Sequence, residues 1–397
     1  MPALNNFFCS CPQGLESVLA EELSEIAEKS GSLQILGQVP GGVHARGRIE
    51  DAWLMNLHSR IASRILLRIA FGPYRTESNL YDLAFSTKWE KWFTFENTIR
   101  IDVSAIKSPV KSINFTALKV KDGVADHFRS RFGKRPSVDT RAPDIPITLH
   151  LSGNDATLYL DTSGEPLFKR GWRNQAGEAP IRENLAAGLL RMAGWEPGTI
   201  LFDPMCGSGT ILAEAAQILS GIPAGMNRRF AFEKLIGFDI QKWDAMKKTA
   251  APLSPPEKPT LFGSDISIRS VENARANLLS AGIRMEIPIR QIDAQKMLPP
   301  TEEPGILLTN PPYGERVGMR GNRSAATDVT PFYASLGSTL KNHFAGWRIF
   351  LFTADRDVPR LLRLKEARKT PLYNGAIECR LFRFDMIAGS NRKIAPD

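Results

Sequence analysis

Apolar and polar positions along this chain follow two rhythms, and the change falls near Gly164. Before it, short segments alternate. Asn6-Phe7-Phe8-Cys9 reads as a strand, and Leu15, Val18, Leu19, Leu23 and Ile26 then recur at helical spacing through Ala27. Gly31 is placed to close that helix. Val43 to Ile49 predicts a strand, Trp53, Leu54, Leu57 and Ile61 a helix, and Ile65 to Phe71 a further strand. Such β-α-β-α-β order indicates a small α+β module. Residues 78–161 repeat the grammar: a helix carrying Leu80, Leu83, Ala84, Trp89 and Trp92, a strand from Ile99 to Val103, and a helix from about Phe115 to Phe132. A hairpin follows, Ile147 to Leu151 and Ala156 to Leu160 about the turn Gly153-Asn154-Asp155.

Past Gly164 the strands become continuous apolar runs separated by longer helices. They are Ile200-Leu201-Phe202, Leu235-Ile236-Gly237-Phe238, Leu261-Phe262-Gly263, Ile287 to Ile292, Ile306-Leu307-Leu308 and Arg348 to Phe352. Runs of that kind joined by helices predict a doubly wound parallel sheet. One joining helix is explicit, with Thr330 as N-cap, Pro331 at its first position and Gly346 beyond its end. Two short strands, at Ala376 to Cys379 and Leu381 to Phe384, are expected to add an antiparallel edge. Pro252-Leu253-Ser254-Pro255-Pro256 reads as a loop, and the tail from Gly389 as frayed.

Composition adds a partner class. The chain has 397 residues, with 51 Lys plus Arg against 42 Asp plus Glu, a net charge of +9. That excess favours a polyanionic partner. Most of it sits between Lys107 and Arg135, where Lys107, Lys111, Lys119, Lys121, Arg129, Arg131, Lys134 and Arg135 face only Asp122 and Asp126. One-signed charge with Phe128 and Phe132 inside it reads as a phosphate-tracking surface. The competing reading is a solvated helix face. Cys9, Cys11, Cys206 and Cys379 are too few for a disulfide framework, and Cys9-Ser10-Cys11 lacks zinc-ligand spacing. No metal is expected. The opening lacks a secretory pattern and no apolar run reaches the roughly 18 residues of a membrane span, so a cytoplasmic protein is expected.

Two motifs carry the chemistry. In Phe202-Asp203-Pro204-Met205-Cys206-Gly207-Ser208-Gly209-Thr210 a strand ends in an acid and turns through two glycines into a helix. This is the ligand corner of a Rossmann-like fold. No Lys follows the second glycine, as a phosphate loop requires, and Leu212 stands where a dinucleotide fingerprint needs a third glycine. The ligand is therefore neither a triphosphate nor NAD. The second motif is Asn310-Pro311-Pro312-Tyr313, at the end of a buried strand. The prolines stiffen an acceptor-rich loop in which the Asn side-chain oxygen and a proline carbonyl can accept both hydrogens of a planar amine. Tyr313 offers a stacking face. Holding both N–H bonds of an exocyclic base amine frees its lone pair for attack on an electrophile within about 3–3.5 Å.

With these motifs in hand, the sequence resembles the class I S-adenosylmethionine-dependent RNA guanine-N2 methyltransferases that carry an N-terminal THUMP domain. Within that family it is most similar to the bacterial enzymes acting on large-subunit (23S) ribosomal RNA. Further matching stretches are Pro180 to Ala186, Arg229 to Lys234, Gly263 to Ile266 with Ala274 to Asn277, Cys11 to Glu16, and Lys169 to Arg173. The resemblance implies an α/β protein with a ferredoxin-like segment at 1–72, a THUMP RNA-binding domain at 73–162 and a Rossmann-like methyltransferase domain at 163–390. It implies S-adenosylmethionine as cofactor. Asp203, Gly207 and Gly209, with Met205 and Thr210, would surround its methionine part. Asp265 would hold the ribose hydroxyls and Asp293 the adenine edge, Ile266 and Ala294 would also contact the cofactor, and Asn184 would lie nearby. Asp239 remains the alternative ribose acid, because it is closer to the usual 20-residue spacing from the glycine turn. Asn310, Pro311, Pro312 and Tyr313 would form the catalytic loop.

The motifs leave a tRNA target open. A DNA amino-methyltransferase shares the loop but not the N-terminal half. Cytosine-C5 methylation needs a cysteine nucleophile that residues 310–313 lack. A non-catalytic RNA-binding protein would not need both motifs intact.

Overall fold

The computed structural model of the protein describes residues 4–173, 181–250, 258–311 and 329–387. The chain divides into two compact units: residues 1–11, 15–170 and 223–251 form the first, and 12–14, 171–222 and 252–397 the second.

The first unit opens with β1 (Asn5–Ser10), α1 (Glu16–Ser30), β2 (Gln34–Val39), β3 (Gly42–Gly47), α2 (Ile49–His58) and β4 (Arg64–Pro73). It continues with α3 (Glu77–Ser86), β5 (Thr98–Ile106), α4 (Ile113–Phe132), β6 (Ser137–Val138), β7 (Ile145–Ser152) and β8 (Asp155–Asp161). Gly31 closes α1 in a left-handed conformation, its N–H reaching the Ala27 carbonyl, as a C-terminal glycine should. All eight strands join one sheet in the order β2-β3-β1-β4-β8-β7-β5-β6. β4 is the seam: it pairs antiparallel with β1 on one side and with β8 on the other. β2, absent from the hydrophobic pattern, is an edge strand exposed along most of its length and so shows no apolar alternation.

The second unit begins with α5 (Glu183–Met192), β9 (Leu201–Asp203) and α6 (Thr210–Leu219). The chain then contributes residues 223–251, with α7 (Ile240–Thr249), to the first unit. The strand expected at 235–238 does not form there. A 3-10 turn at Ala231–Lys234 is followed by a loop whose apolar residues serve an aromatic cluster instead. Phe232 and Phe238 pack on Trp53 of α2, with centroids 5.7 and 5.2 Å away, and Trp243 meets Phe232 edge-on.

The second unit resumes with β10 (Leu261–Asp265), α8 (Ile268–Ser280), β11 (Ile289–Gln291), β12 (Ile306–Thr309), α9 (Thr330–His343), β13 (Arg348–Thr353), α10 (Val358–Leu362), β14 (Arg368–Asn374) and β15 (Ile377–Asp385). Its sheet runs β11-β10-β9-β12-β13-β15-β14. The first five strands are mutually parallel and β15 is antiparallel to both neighbours. The two short terminal strands foreseen are thus one, and it lies inside the sheet with β14 as the edge. Only Leu372 of β14 is buried, which hid that strand from pattern reading. Val329, one residue earlier than expected, caps α9. Phe202, Leu307, Ile349, Leu351 and Phe382 on one sheet face pack against Tyr333, Leu336 and Leu340 of α9 and Leu362 of α10. On the other face Leu308 and Phe350 are buried too, so both faces are covered and the runs are apolar throughout. The loop at Pro252–Pro256 and the tail from Gly389 lie outside the described residues.

Candidate functional site

In the second unit the chain runs from β9 outward to β10 and β11, then crosses to place β12 on the other flank of β9. Strand order therefore reverses between β9 and β12. An open parallel sheet has its ligand crevice at the carboxyl ends of the strands flanking such a reversal.

The residues there are polar in a row. Asp293 follows β11, Asp265 ends β10, Asp203 ends β9 and Asn310 follows β12. With strands about 4.8 Å apart, the row spans three spacings, roughly 14 Å. Asp203 is buried, and Thr309 Oγ1 donates to its Oδ1 across the reversal at 2.7 Å. The Met205 N–H donates to the same oxygen at 3.3 Å. Burial pushes the Asp203 carboxyl up to about 7; the Thr309 and Met205 hydrogen bonds oppose that rise and the nearby Asp265 charge adds to it.

Between Asp203 and α6 the glycine corner is held from below. The Cys206 N–H donates to the Ser264 carbonyl and Asn277 Nδ2 of α8 to the Ser208 carbonyl, both at 3.0 Å. Gly207 and Gly209 both adopt left-handed backbone, with φ of 52° and 78°. Their reasons differ. A β-carbon on Gly209 would stand 2.9 Å from Ala274 Cβ, so this glycine lets α8 approach the turn. A β-carbon on Gly207 would meet nothing within 4 Å, so this glycine borders open space. Sequence reading gives both a ligand-facing role; at Gly209 the structure adds that the missing β-carbon lets α8 pack against the turn.

Asp265 is half-buried. Its Oδ2 accepts from the Gly207 N–H at 3.0 Å and its Oδ1 from the Ser267 N–H at 2.9 Å, which couples β10 to the glycine corner. Ile266 beside it is 65% exposed, an unusual place for an isoleucine without a partner group. Asp293 accepts from the Gln295 N–H at 2.9 Å and caps the short turn holding the buried Ala294. Asp239, the alternative acid, belongs to the first unit and caps α7 by accepting from the Gln241 and Lys242 N–H groups.

Behind the corner, Arg173 Nη2 donates to Thr210 Oγ1 at 2.9 Å, and its Nε lies 3.0 Å from Glu183 Oε1. Asn184, next in α5, is fully buried. Asn277, Thr309 and Arg173 were not singled out individually from sequence. Each acts on a partner 37 to 106 residues away, which no local pattern records. Asn310 is half-buried and Pro311 buried at the end of β12, whereas Pro312 and Tyr313 lie outside the described residues. Cys206 and Cys379 are buried, and burial pushes the Cys206 thiol far above its ordinary range, which unfits it as a nucleophile. Among the described residues no three metal-ligating side chains gather.

The first unit carries the second candidate surface. Three of the basic residues are paired: Lys121 with Asp122, Arg129 with Asp126 and Arg131 with Glu90. Lys107, Lys111, Lys134 and Arg135 are exposed; Lys134 sits 5.2 Å over the Phe95 ring, and half-buried Lys119 5.5 Å over Phe115. Phe128 is not a surface ring. It packs in the core against Phe93, because α4 turns that face toward the first unit's interior. Within residues 107–135 the exposed aromatic rings are Phe115 and Phe132.

Comparison with known proteins agrees with this architecture. A family model described as an RMKL-like methyltransferase domain matches residues 170–383, more than half of the chain. The chain belongs to the RMKL-like methyltransferase-domain family. Residues 74–161 match the THUMP domain and residues 6–66 the RlmL ferredoxin-like domain. A curated relative of this family member, ribosomal RNA large subunit methyltransferase K/L of Syntrophotalea carbinolica, is 36% identical over 97% of the chain and 54% of its own length. The chain spans about half the length of the curated relatives it matches. Among solved structures, a possible methylase from Clostridium difficile 630 aligns with a TM-score of 0.85 at 28% identity, over 98% of this chain and all of that one. SMU.472 complexed with SAH aligns with a TM-score of 0.83 at 28% identity, over the same shares. No helix among the described residues is long and apolar enough to cross a membrane.

Proposed function

We propose that this RMKL-like methyltransferase transfers a methyl group from S-adenosylmethionine to the exocyclic N2 of a guanine in RNA, with large-subunit ribosomal RNA as the substrate. The observation that carries this reading is the row Asp293, Asp265, Asp203, Asn310 on four adjacent strand ends. It suits an elongated molecule with an adenine at one end, a ribose next, a methionine cation after that, and a target amine beyond. The open space at Gly207 and the exposed Ile266 fit such a ligand. The complex of SMU.472 with SAH and the rRNA methyltransferase names of the curated relatives support it.

Each residue of the row then has one task. Asp293 accepts from the adenine amine, Asp265 from the ribose hydroxyls, and Asp203 faces the cationic methionine end. Ile266 covers the adenine with apolar surface. The bound cofactor supplies an electrophilic methyl group on a sulfonium. Asn310 Oδ1 and the loop carbonyl accept the two N–H bonds of the guanine amine, fixing it for in-line attack. As the N–C bond forms and the C–S bond breaks, the amine becomes acidic, and its proton leaves to a loop acceptor or to water. No general base is needed beforehand. Guanine N2 lies on the pairing edge, so the nucleotide must be unpaired or flipped, with Tyr313 as its stacking face.

The test is product mapping. The purified chain, S-adenosylmethionine and unmodified ribosomal RNA should give N2-methylguanosine by nucleoside mass analysis, and bulk tRNA should give far less. Methyl transfer to tRNA alone would move the assignment to that substrate, and transfer to adenine would refute guanine as the target.

A further inference from the structure

The second unit carries a basic groove that the proposed site does not use. Residues 356–366, around α10, enclose an open groove of about 560 Å3, with Arg356, Arg360, Arg363 and Lys365 against Asp357 and Glu366. Resting on the reading of this chain as an RNA methyltransferase, we propose that this groove binds the phosphates flanking the target nucleotide, so that the methyltransferase unit grips RNA independently of the basic segment near α4.

Position is the first support. The groove begins where β13 ends, at Thr353, and β13 pairs in parallel with β12, Thr309 standing opposite Leu351. Its Arg356 end therefore starts from the same sheet edge as Asn310, one strand along and on the side away from Asp265 and Asp293, and the lining then descends with α10 beside α9. The edge reads, in order, cofactor acids, target-amine loop, cationic groove. A chain whose base reaches Asn310 must run its backbone off one side of it, and the cofactor row occupies the other.

Charge is the second. Arg356 and Arg380 share the single carboxylate of Glu378, at 2.9 Å each, which leaves one positive charge over. Arg360 lies 3.6 Å from Asp357 in a largely exposed pair, which a phosphate can displace because such pairs contribute little. The described residues bring no carboxylate within ion-pair distance of Arg363 or Lys365, and the exposed Arg368 and Lys369 follow at the start of β14. Guanidinium forks match phosphate oxygens bidentately. The lining offers little apolar surface for a protein partner, which needs a desolvated centre.

Backbone conformation is the third. Arg363 holds φ 54° and ψ 39° just past the end of α10, where glycine would sit without strain. Among the described residues the one other non-glycine residue with positive φ is Lys107, in the basic segment of the first unit. At both places a cation stands in a backbone position that disfavours any side chain.

The experiment compares the full-length wild type with the Arg360→Gln/Arg363→Gln/Lys365→Gln variant. RNA binding is measured across salt, RNA methylation by KM and kcat, and cofactor affinity by calorimetry. Losing three contacts at about 0.7 per phosphate on a single strand should lower the log–log salt slope by about 2 and weaken binding on the order of tenfold to 100-fold at physiological salt. KM for RNA should rise accordingly, while saturating turnover and cofactor affinity stay within about twofold. Arg363→Gly separates lost contact from lost fold, since it relieves the left-handed residue and should raise Tm while weakening RNA binding. An unchanged salt slope and KM in the triple variant, beside an active wild type, overturns the groove alone. A wild type that methylates no RNA overturns the reading on which it rests.

Discussion

Asp203 shows what one buried carboxylate can report. Its folded-state pKa is raised from 3.8 to about 7, chiefly by burial, so between those values the folded chain holds a proton that the unfolded chain has lost. Stability should therefore fall as pH rises through that window and level off above it. Asp203→Asn should flatten the fall, as chemical denaturation at pH 4.5, 6 and 7.5 would show; an unchanged slope would place the titration elsewhere. If Asp203 faces the cationic end of S-adenosylmethionine, binding must also expel the proton. Calorimetry at pH 6 in buffers of different ionisation enthalpy should record proton release, absent at pH 8.5, with affinity rising as pH approaches 7. The acid itself was legible in the sequence as the last residue of an apolar strand. Its environment was not, because the hydroxyl that meets it is Thr309, 106 residues on.

The two glycines of the β9–α6 turn separate at the scale of elements. Both look alike in the sequence, yet one borders open space and the other the backbone of α8. Gly209→Ala should cost stability, on the order of 1–3 kcal/mol, because a β-carbon there forces α8 from the turn. Gly207→Ala meets no neighbour, so its cost is near the 1–2 kcal/mol of a left-handed residue, while its methyl enters the space proposed for the cofactor. Denaturant midpoints and cofactor affinities for both variants test the separation, and Gly209→Ala with normal stability and lost cofactor binding would reverse it. The buried parallel strands and the Gly31 closure of α1 were legible because their signals are local. The edge strands β2 and β14 and the loop at 235–238 were not, since exposure erases alternation in the first two and tertiary aromatic packing overrides strand propensity in the third.

Charge acts at the scale of the whole molecule. The net excess of +9 was legible as an argument for a polyanion, and its concentration between Lys107 and Arg135 as a surface. Which of those cations are unpaired was not legible, because the acid paired with Arg131 is Glu90, 41 residues earlier. Replacing Lys107, Lys111, Lys134 and Arg135 by Gln should lower the salt dependence of RNA binding by about 3, against a smaller change for Lys121, Arg129 and Arg131, whose acidic neighbours already offset them. Filter binding from 50 to 400 mM salt would measure both sets. A slope left unchanged by both sets would return the segment to an ordinary solvated helix face.

The central claim is that Asn310 holds the guanine amine for methyl transfer, and single-turnover methylation by Asn310→Ala tests it most directly. With the chain in excess over ribosomal RNA and S-adenosylmethionine saturating, the variant should form N2-methylguanosine on the order of 10²–10³ times more slowly than the wild type. Cofactor affinity should stay near normal. Formation of N2-methylguanosine by Asn310→Ala at the wild-type rate would contradict the account.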